Sequence, residues 1–389
     1  MTDIPHKLKT LQEKILSLRK NNIIELQHGD EGYASAPSNI ALIKYWGKQE
    51  GKNQIPANSS LSFTLDGFRS YTKVTTLGRF FPVEEQNTPH KFTNQFALYS
   101  DLNVFRSFKK NSEKPAPEKI NHFINSILSP FAPEIALYVE SHNNFPTACG
   151  IASSASGYAA LVGAIANLLQ LEKYFTQEEL QYWLSEWARL GSGSATRSSL
   201  LQKNSLFVAW RLRENSSEET TTESLQYHEN WKQLKHCVLI LDDSEKSVSS
   251  SHGHKLAHTS PFYGVRVAGM PFKYDRMTKA IKEFDFESVK HITEEEAFSM
   301  HAVMQTGTPP ACYLNSQVAV VISKFIQYRD AHHLKAFWTL DAGPNIHILY
   351  LAEHEAFMEQ FIFDYQKINN QEIKILHNKL EKLGTIFAY

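Results

Sequence analysis

The chain has 389 residues, 42% hydrophobic and 21% charged, the proportions of an ordinary globular protein with room for two lobes. Lys and Arg number 40 against 41 Asp and Glu, a net charge of −1, which excludes a global field drawing the chain to nucleic acid or an acidic membrane and leaves open a local pocket for a small anion. The three cysteines, Cys149, Cys237 and Cys312, stand singly, a pattern that supports neither a disulfide framework nor a CxxC zinc site and points to the reducing cytoplasm.

In chain order, residues 1–20 are charged throughout and lack the apolar centre of a secretory signal. Leu8, Leu11, Ile15 and Leu18 recur there at helical spacing. Residues 36–43 predict a short apolar strand that ends in a lysine-bearing turn, Lys44-Tyr45-Trp46-Gly47-Lys48. Residues 62–65 and 71–76 alternate as two strands, and 81–95, with Pro82 and Pro89, read as a polar loop. A strand over 136–140 leads into the small-residue segment 143–157, which opens a helix. The least polar stretch, 155–171, is about 17 residues long and carries Asn167 and Gln170, so it reads as a buried helix and not a membrane span. Thr176 and Glu179 form a capping box before the stripe Leu180, Trp183, Leu184 and Trp187, and Gly191 ends that helix. Residues 214–224 are polar and acidic without an apolar anchor, and read as an exposed loop near a lobe junction. A buried strand at 237–241, helices over much of 275–335, and two strands within 336–351 around Asp341-Ala342-Gly343-Pro344 complete the chain. No internal repeat is visible. The mixture predicts an α+β fold with lobes at 1–225 and 226–389.

Four segments could carry chemistry. In the first, 146–157, Gly150 allows close backbone approach and Ser153, Ser154 and Ser156 bring hydroxyls to a helix start, where free N–H groups and the dipole favour an anion. Ordinary serine capping would look similar, and no Gly-Lys-Ser/Thr follows to make a Walker loop. The second, 189–198, combines Gly191, Ser192, Gly193 and Ser194 with Arg197, whose guanidinium suits a phosphate or carboxylate; a helix C-cap and flexible turn is the plainer alternative. In the third, Asp341 stands at a strand end before a glycine turn, where a base could meet a substrate hydroxyl or merely satisfy turn amides. In the fourth, Lys44 and Lys48 could hold phosphates and Tyr45 could donate a phenolic hydrogen bond, or all three could be a solvated strand end. His252, His254 and His258 lack an acidic or cysteine partner at zinc spacing. His332 and His333 read as surface. The aromatic residues show no basic interleaving, so stacking on nucleic acid is not expected.

Together these segments resemble the GHMP family of small-molecule kinases and, within it, the mevalonate diphosphate decarboxylase family. Residues 36–48, continued by 56–62, are similar to that family's opening signature. Residues 144–157 look like its ATP-phosphate loop, 191–198 like its Gly-Ser-Gly-Ser-Ala-x-Arg-Ser segment, and 341–345 like its Asp-Ala-Gly-Pro-Asn turn. Shorter matches at 248–250, 259–261, 300–302 and 308–310 fall in the same order.

The resemblance implies a two-lobed GHMP-kinase-like α+β fold with its site in the cleft between lobes. It implies ATP and Mg²⁺, the small-molecule substrate mevalonate 5-diphosphate, and ATP-dependent decarboxylation to isopentenyl diphosphate in the mevalonate pathway of isoprenoid biosynthesis. It implies a cytoplasmic homodimer, with neither nucleic acid nor membrane as partner. By matching position, Asp341 is the acid/base facing the 3-hydroxyl, with Lys44 beside it keeping the carboxylate ionised. Arg197 holds the substrate carboxylate. Tyr45, Lys48, Ser192, Gly193 and Ser194 grip the diphosphate, with Ser250 a further contact. Pro146, Gly150, Ser153, Ser154 and Ser156 belong to the ATP-phosphate loop, and Ser153 meets Mg²⁺. Two related readings are a decarboxylase of the monophosphate and a GHMP kinase that stops at phosphorylation; a catalytically dead nucleotide-binding module is disfavoured by the joint presence of Lys44, Arg197 and Asp341.

The chain also departs from the family pattern. Residues 199–205 replace a Tyr-Gly-Gly turn, Ser251 stands where relatives carry Arg or Thr, and His254 stands in place of a usual Met.

Overall fold

Strand β1 (Glu31–Ile43) runs antiparallel beside the 17-residue strand β2 (Ser60–Thr76). The two strands expected at 62–65 and 71–76 are therefore one. The register jumps between Pro37, opposite Arg69, and Ser38, opposite Leu65, so residues 66–68 pass β1 as a bulge that breaks the alternation without ending the strand. The computed structural model describes residues 4–52, 54–77, 94–99, 116–133, 135–146, 151–202, 205–213, 216–242, 250–369 and 373–378. Most of the loop expected at 81–95 thus lies outside the described residues.

β2 also pairs with β4 (Leu137–Asn143) along one half and β5 (Phe207–Arg213) along the other. β3 (Gln95–Tyr99) runs parallel to β4, and β6 (Ser216–Ser224) antiparallel to β5. That last strand corrects the expectation of an exposed loop at 214–224. Thr220, Thr221 and Thr222 are β-branched and lie opposite Leu212, Arg211 and Trp210. Thr220 is buried and donates to Glu186 at 3.1 Å, so a polar strand holds through pairing and hydrogen bonds where no apolar anchor is present.

Helices α1 (His6–Lys20), α2 (Glu118–Leu128), α3 (Ser153–Leu168) and α4 (Gln177–Gly191) share one core with this sheet, in which Leu8, Phe123, Leu161, Trp183 and Trp187 meet. α3 lies directly on β1. A side chain on Gly32 would put its Cβ 2.2 Å from the Ala164 carbonyl oxygen, so only glycine permits that contact. The capping box on α4 is complete: the Glu179 N–H reaches the Thr176 hydroxyl at 3.1 Å, and the Thr176 N–H reaches the Glu179 carboxylate at 2.8 Å.

The second sheet is antiparallel, in the order β10–β7–β9–β8, from β7 (Leu234–Ile240), β8 (Ala336–Thr339), β9 (Ile346–Leu351) and β10 (Lys374–His377). It is accompanied by α5 (Ser250–Leu256), α6 (Tyr263–Glu283), α7 (Phe286–Gln305), α8 (Ser316–Ala331) and α9 (Glu355–Asn369). The two sheets do not stand on separate cores. Ile40, Leu42, Leu61 and Phe63 from the first pack with Phe337 and Leu349 from the second, together with Met270 and Met277 of α6 and Phe286 of α7. α7 touches both β8 and β1, so the ends of two strands far apart in the chain are brought to one place.

Candidate active site

β1 ends at Ile43, and the next residue, Lys44, is buried in the cleft between the sheets. Its ammonium lies 2.8 Å from an Asp341 carboxylate oxygen. Asp341 follows β8, its carbonyl accepting the Gly343 N–H at 2.8 Å in the turn. Burial pulls the Lys44 pKa down, and the Asp341 charge opposes that pull.

Arg197 comes from a third segment, the 3₁₀ turn Gly193–Ser198 after α4. It too is buried, and its guanidinium donates to the Ser60 hydroxyl at 2.6 Å and the Asn39 side-chain oxygen at 3.3 Å. Burial lowers its pKa to about 10, with Asp341 again acting against the shift. At that value the group stays charged near neutral pH. Three segments that the sequence separates by more than a hundred residues thus meet around one carboxylate.

They enclose a cavity of about 310 Å³. Lys44, Arg197 and Asp341 line it together with Tyr45, Lys48, Ser192, Gly193 and Ser194, and with Ser153 and Ser154 from the start of α3. The Tyr45 ring packs edge-on to Trp210, and its hydroxyl is buried with no hydrogen-bond partner among the described residues. Burial pushes the phenol pKa up, so it remains a donor waiting for an acceptor. Gly193 makes room for that ring, because a Cβ there would lie 2.6 Å from a Tyr45 ring carbon. At α3, Ala152 adopts a left-handed conformation and no side chain caps the first turn, which leaves the helix N–H groups beside the cavity. The Ser154 and Ser192 hydroxyls are 3.3 Å apart across the gap.

Other expected site residues sit differently. Ser156 is buried, with its hydroxyl 2.7 Å from that of Ser70; it ties α3 to β2 and does not line the cavity. Pro146, after β4, does not line it either. Gly150 and the Ser250 side chain lie outside the described residues. His252, His254 and His258 do not make a metal centre: among the described residues no three His, Cys, Asp or Glu side chains converge on one point. His254 has another place. Its Nδ1 accepts the Gly47 N–H at 3.0 Å, and its ring lies between Tyr45 and Trp46, centroids 4.2 and 4.5 Å away. Burial presses its pKa to about 3, with Lys48 and Arg266 adding to the shift.

Sequence reasoning missed Lys119, at the start of α2, and Trp46, Met300 and His254, all of which line the cavity. It also missed Asn39 and Ser60, although both lie inside quoted signatures, because a residue that holds another side chain has no spacing signal of its own. Among the described lining residues, Lys44, Lys48, Lys119 and Arg197 face the single carboxylate of Asp341. Burial, helped by the charges of Lys119 and Lys255, lowers the Lys48 pKa. Cationic excess, serine hydroxyls, an uncapped helix start and an unpaired phenol fit a ligand with several phosphates, such as a nucleoside triphosphate whose Mg²⁺ is held mainly by those phosphates. Ser153 and Ser154 also border a neighbouring apolar groove of about 210 Å³, lined by Phe96, Ile120, Val139 and Tyr158.

The chain is similar to known proteins along most of its length. The family model described as the diphosphomevalonate decarboxylase-like N-terminal domain matches residues 36–222, and the mevalonate 5-diphosphate decarboxylase C-terminal domain matches residues 236–385. The diphosphomevalonate decarboxylase of Saccharomyces cerevisiae is 34% identical over 347 residues, spanning 85% of this chain and 80% of the yeast protein. That of Schizosaccharomyces pombe is 35% identical over 329 residues, spanning 82% and 78%. The solved mevalonate diphosphate decarboxylase of Staphylococcus aureus superposes with a TM-score of 0.71 at 30% identity, covering 90% of this chain and 95% of that one. A structure described as MDDEF in complex with MVAPP, AMPPCP and magnesium gives the same TM-score, 0.71, at 30% identity, covering 89% and 95%.

Proposed function

The chain belongs to the diphosphomevalonate decarboxylase family, and from that membership we propose that it converts mevalonate 5-diphosphate and ATP into isopentenyl diphosphate, ADP, phosphate and CO₂, a step of isoprenoid biosynthesis. The observation that carries the reading is the meeting of Lys44, Arg197 and Asp341 at one cavity.

The chemistry explains why these three groups are needed together. Hydroxide is a poor leaving group, and ATP with Mg²⁺ supplies the phosphoryl group that turns the tertiary 3-hydroxyl into a good one. Asp341 orients that hydroxyl and accepts its proton. Lys44, 2.8 Å away, holds the carboxylate in place and balances its charge. Arg197 binds the substrate carboxylate through paired N–H groups. When phosphate leaves C3, the electron pair of the bond to the carboxylate carbon becomes the new double bond, and CO₂ departs. Held by Ser60 and Asn39, the guanidinium orients the carboxylate without following it.

Tyr45, Lys48, Ser192, Gly193 and Ser194 take the diphosphate, with Ser250 as a further contact. Ser153 and Ser154 meet the ATP phosphates, Ser153 also meets Mg²⁺, and the apolar groove beside them receives the adenine. Pro146, Gly150 and Ser156 belong to the loop that shapes this end. The lobes divide at 225/226, the working form is a homodimer, and its compartment is the cytoplasm; family resemblance supports these last readings, and sedimentation of the purified chain tests the dimer. No helix among the described residues is long and apolar enough to cross a membrane.

The experiment is an end-point assay of the purified chain with ATP, Mg²⁺ and either mevalonate 5-diphosphate or its monophosphate. CO₂ and ADP should form in equal amounts from the diphosphate. ADP without CO₂ would make the protein a kinase, turnover confined to the monophosphate would make it the sister decarboxylase, and turnover of neither would end the proposal.

A further inference from the structure

Helix α7 carries two side chains, five residues apart and both closed off from solvent, that grip the main chain of the two residues paired at the cavity. Glu296 accepts the Lys44 N–H at 3.2 Å. The same carboxylate accepts from Arg266 at 2.9 Å and from Lys273 at 3.0 Å. Arg266 in turn donates to the Lys44 carbonyl oxygen at 3.3 Å, so both main-chain polar groups of Lys44 are held by side chains of α6 and α7. Toward the end of α7, His301 Nε2 lies 3.2 Å from the Asp341 carbonyl oxygen. Its Nδ1 has no hydrogen-bond partner among the described residues, so the ring is committed to Asp341. The Lys44–Asp341 ion pair closes the figure at 2.8 Å.

We propose that α7 acts as a ruler for the reacting centre, with Glu296 and His301 as positioning residues that set the separation of Lys44 and Asp341. The inference rests on the reading of Lys44 and Asp341 as the reacting pair. Lys44 follows a strand of the first sheet and Asp341 a strand of the second, so nothing within either sheet fixes the distance between them. Five residues of α-helix, about 7.5 Å long, supply a rigid spacer. A plain core does not account for this arrangement, because a buried Arg–Glu pair is often replaceable by apolar side chains without loss of stability. What apolar packing lacks is a directed grip on two specific backbone groups.

Rate is the property that should respond, since a misplacement of about 1 Å in a reacting group can cost about 100-fold. Replacing His301 by Leu removes the donor to Asp341; Gln restores an N–H at similar reach. With ATP and mevalonate 5-diphosphate, His301→Leu should lower kcat by about 10- to 100-fold while both KM values stay within about twofold. His301→Gln should recover most of that loss. Glu296→Gln, which keeps an acceptor for Lys44 but leaves Arg266 without its counter-charge while Lys273 keeps Glu295 at 2.8 Å, should show the same split. If His301→Leu does not fold, His301→Asn, polar but too short to reach, takes its place. A folded His301→Leu with parental kcat and only a lower Tm, a loss confined to KM, or a Gln variant no better than Leu would each overturn the ruler. Asp341→Asn separates the two levels: if it is inactive while His301→Leu is active, only the ruler falls, whereas a fully active Asp341→Asn removes the reading beneath it.

Discussion

Arg197 makes the sharpest demand of any single residue in the cleft, because it is charged, buried and held by two neutral partners. Hydrogen bonds to a charged group contribute about 1.5–3 kcal/mol each, and a carboxylate bound by two of them should weigh accordingly. Arg197→Ala is therefore expected to raise the KM for mevalonate 5-diphosphate and lower kcat together, by about 100-fold or more in kcat/KM, with the KM for ATP little changed. Arg197→Lys should recover little, since a point charge cannot reproduce a planar fork. Steady-state kinetics with each substrate varied in turn would decide; a defect seen only in ATP affinity would contradict the carboxylate assignment. The residue was legible from its sequence setting between small residues, but its holders were not. His254 shows the opposite limit. Three histidines in one short stretch suggest a metal, whereas this one is a neutral acceptor for the Gly47 N–H, wedged between two rings. Its partner is a backbone group some two hundred residues away, which spacing cannot reveal.

Among elements, those that local chemistry defines were the readable ones. α4 has a capping box and an apolar stripe, and α3 a run of small residues that lets it lie on β1 at Gly32. β6 and the unity of β2 were hidden, since a threonine-rich edge and a bulged strand are made by their neighbours and not by alternation. The turn between α4 and β5 mixes the two cases. Its glycines marked it as a ligand loop, yet Gly193 serves equally to admit the Tyr45 ring from the turn after β1. Gly193→Ala should force those two turns apart, costing about 1–3 kcal/mol as overpacking does. Because Tyr45 and Lys48 move with their turn, the KM for mevalonate 5-diphosphate should rise as well. A thermal melt with the same kinetic assay reads both effects, and an unchanged Tm with an unchanged KM would show that the contact yields freely.

Across the whole molecule the two sheets share a core, and three buried histidines sit at or near their junction. His236 pairs with His347 at 2.9 Å and meets the edge of Phe68 from the first sheet; His254 and His301 lie in the cleft. Burial depresses His236, His254 and His301: the first falls well below 6.5, the second to about 3, and the third to about 4, the last with the Lys44 charge adding to the effect. In each case the folded pKa lies under the unfolded one, so the unfolded chain binds more protons as acid is added. Their contribution to stability is complete above the unfolded value of about 6.5 and is lost as pH falls toward the folded values, at up to about 1.4 kcal/mol per histidine per unit. A domain stable by about 5–15 kcal/mol can be undone by three such groups before its carboxylates titrate. Carboxylates held low, such as Glu179 and Asp285, act only below their ordinary range, so the two contributions separate along the pH axis. Urea unfolding between pH 7.5 and 5 should show stability falling from about pH 6.5 downward. His301→Gln, which keeps a donor toward Asp341 and removes one titration, should flatten part of that slope. A level stability curve down to pH 5, or a variant curve parallel to the parent's, would mean that these rings take up protons in the folded state without opening the junction.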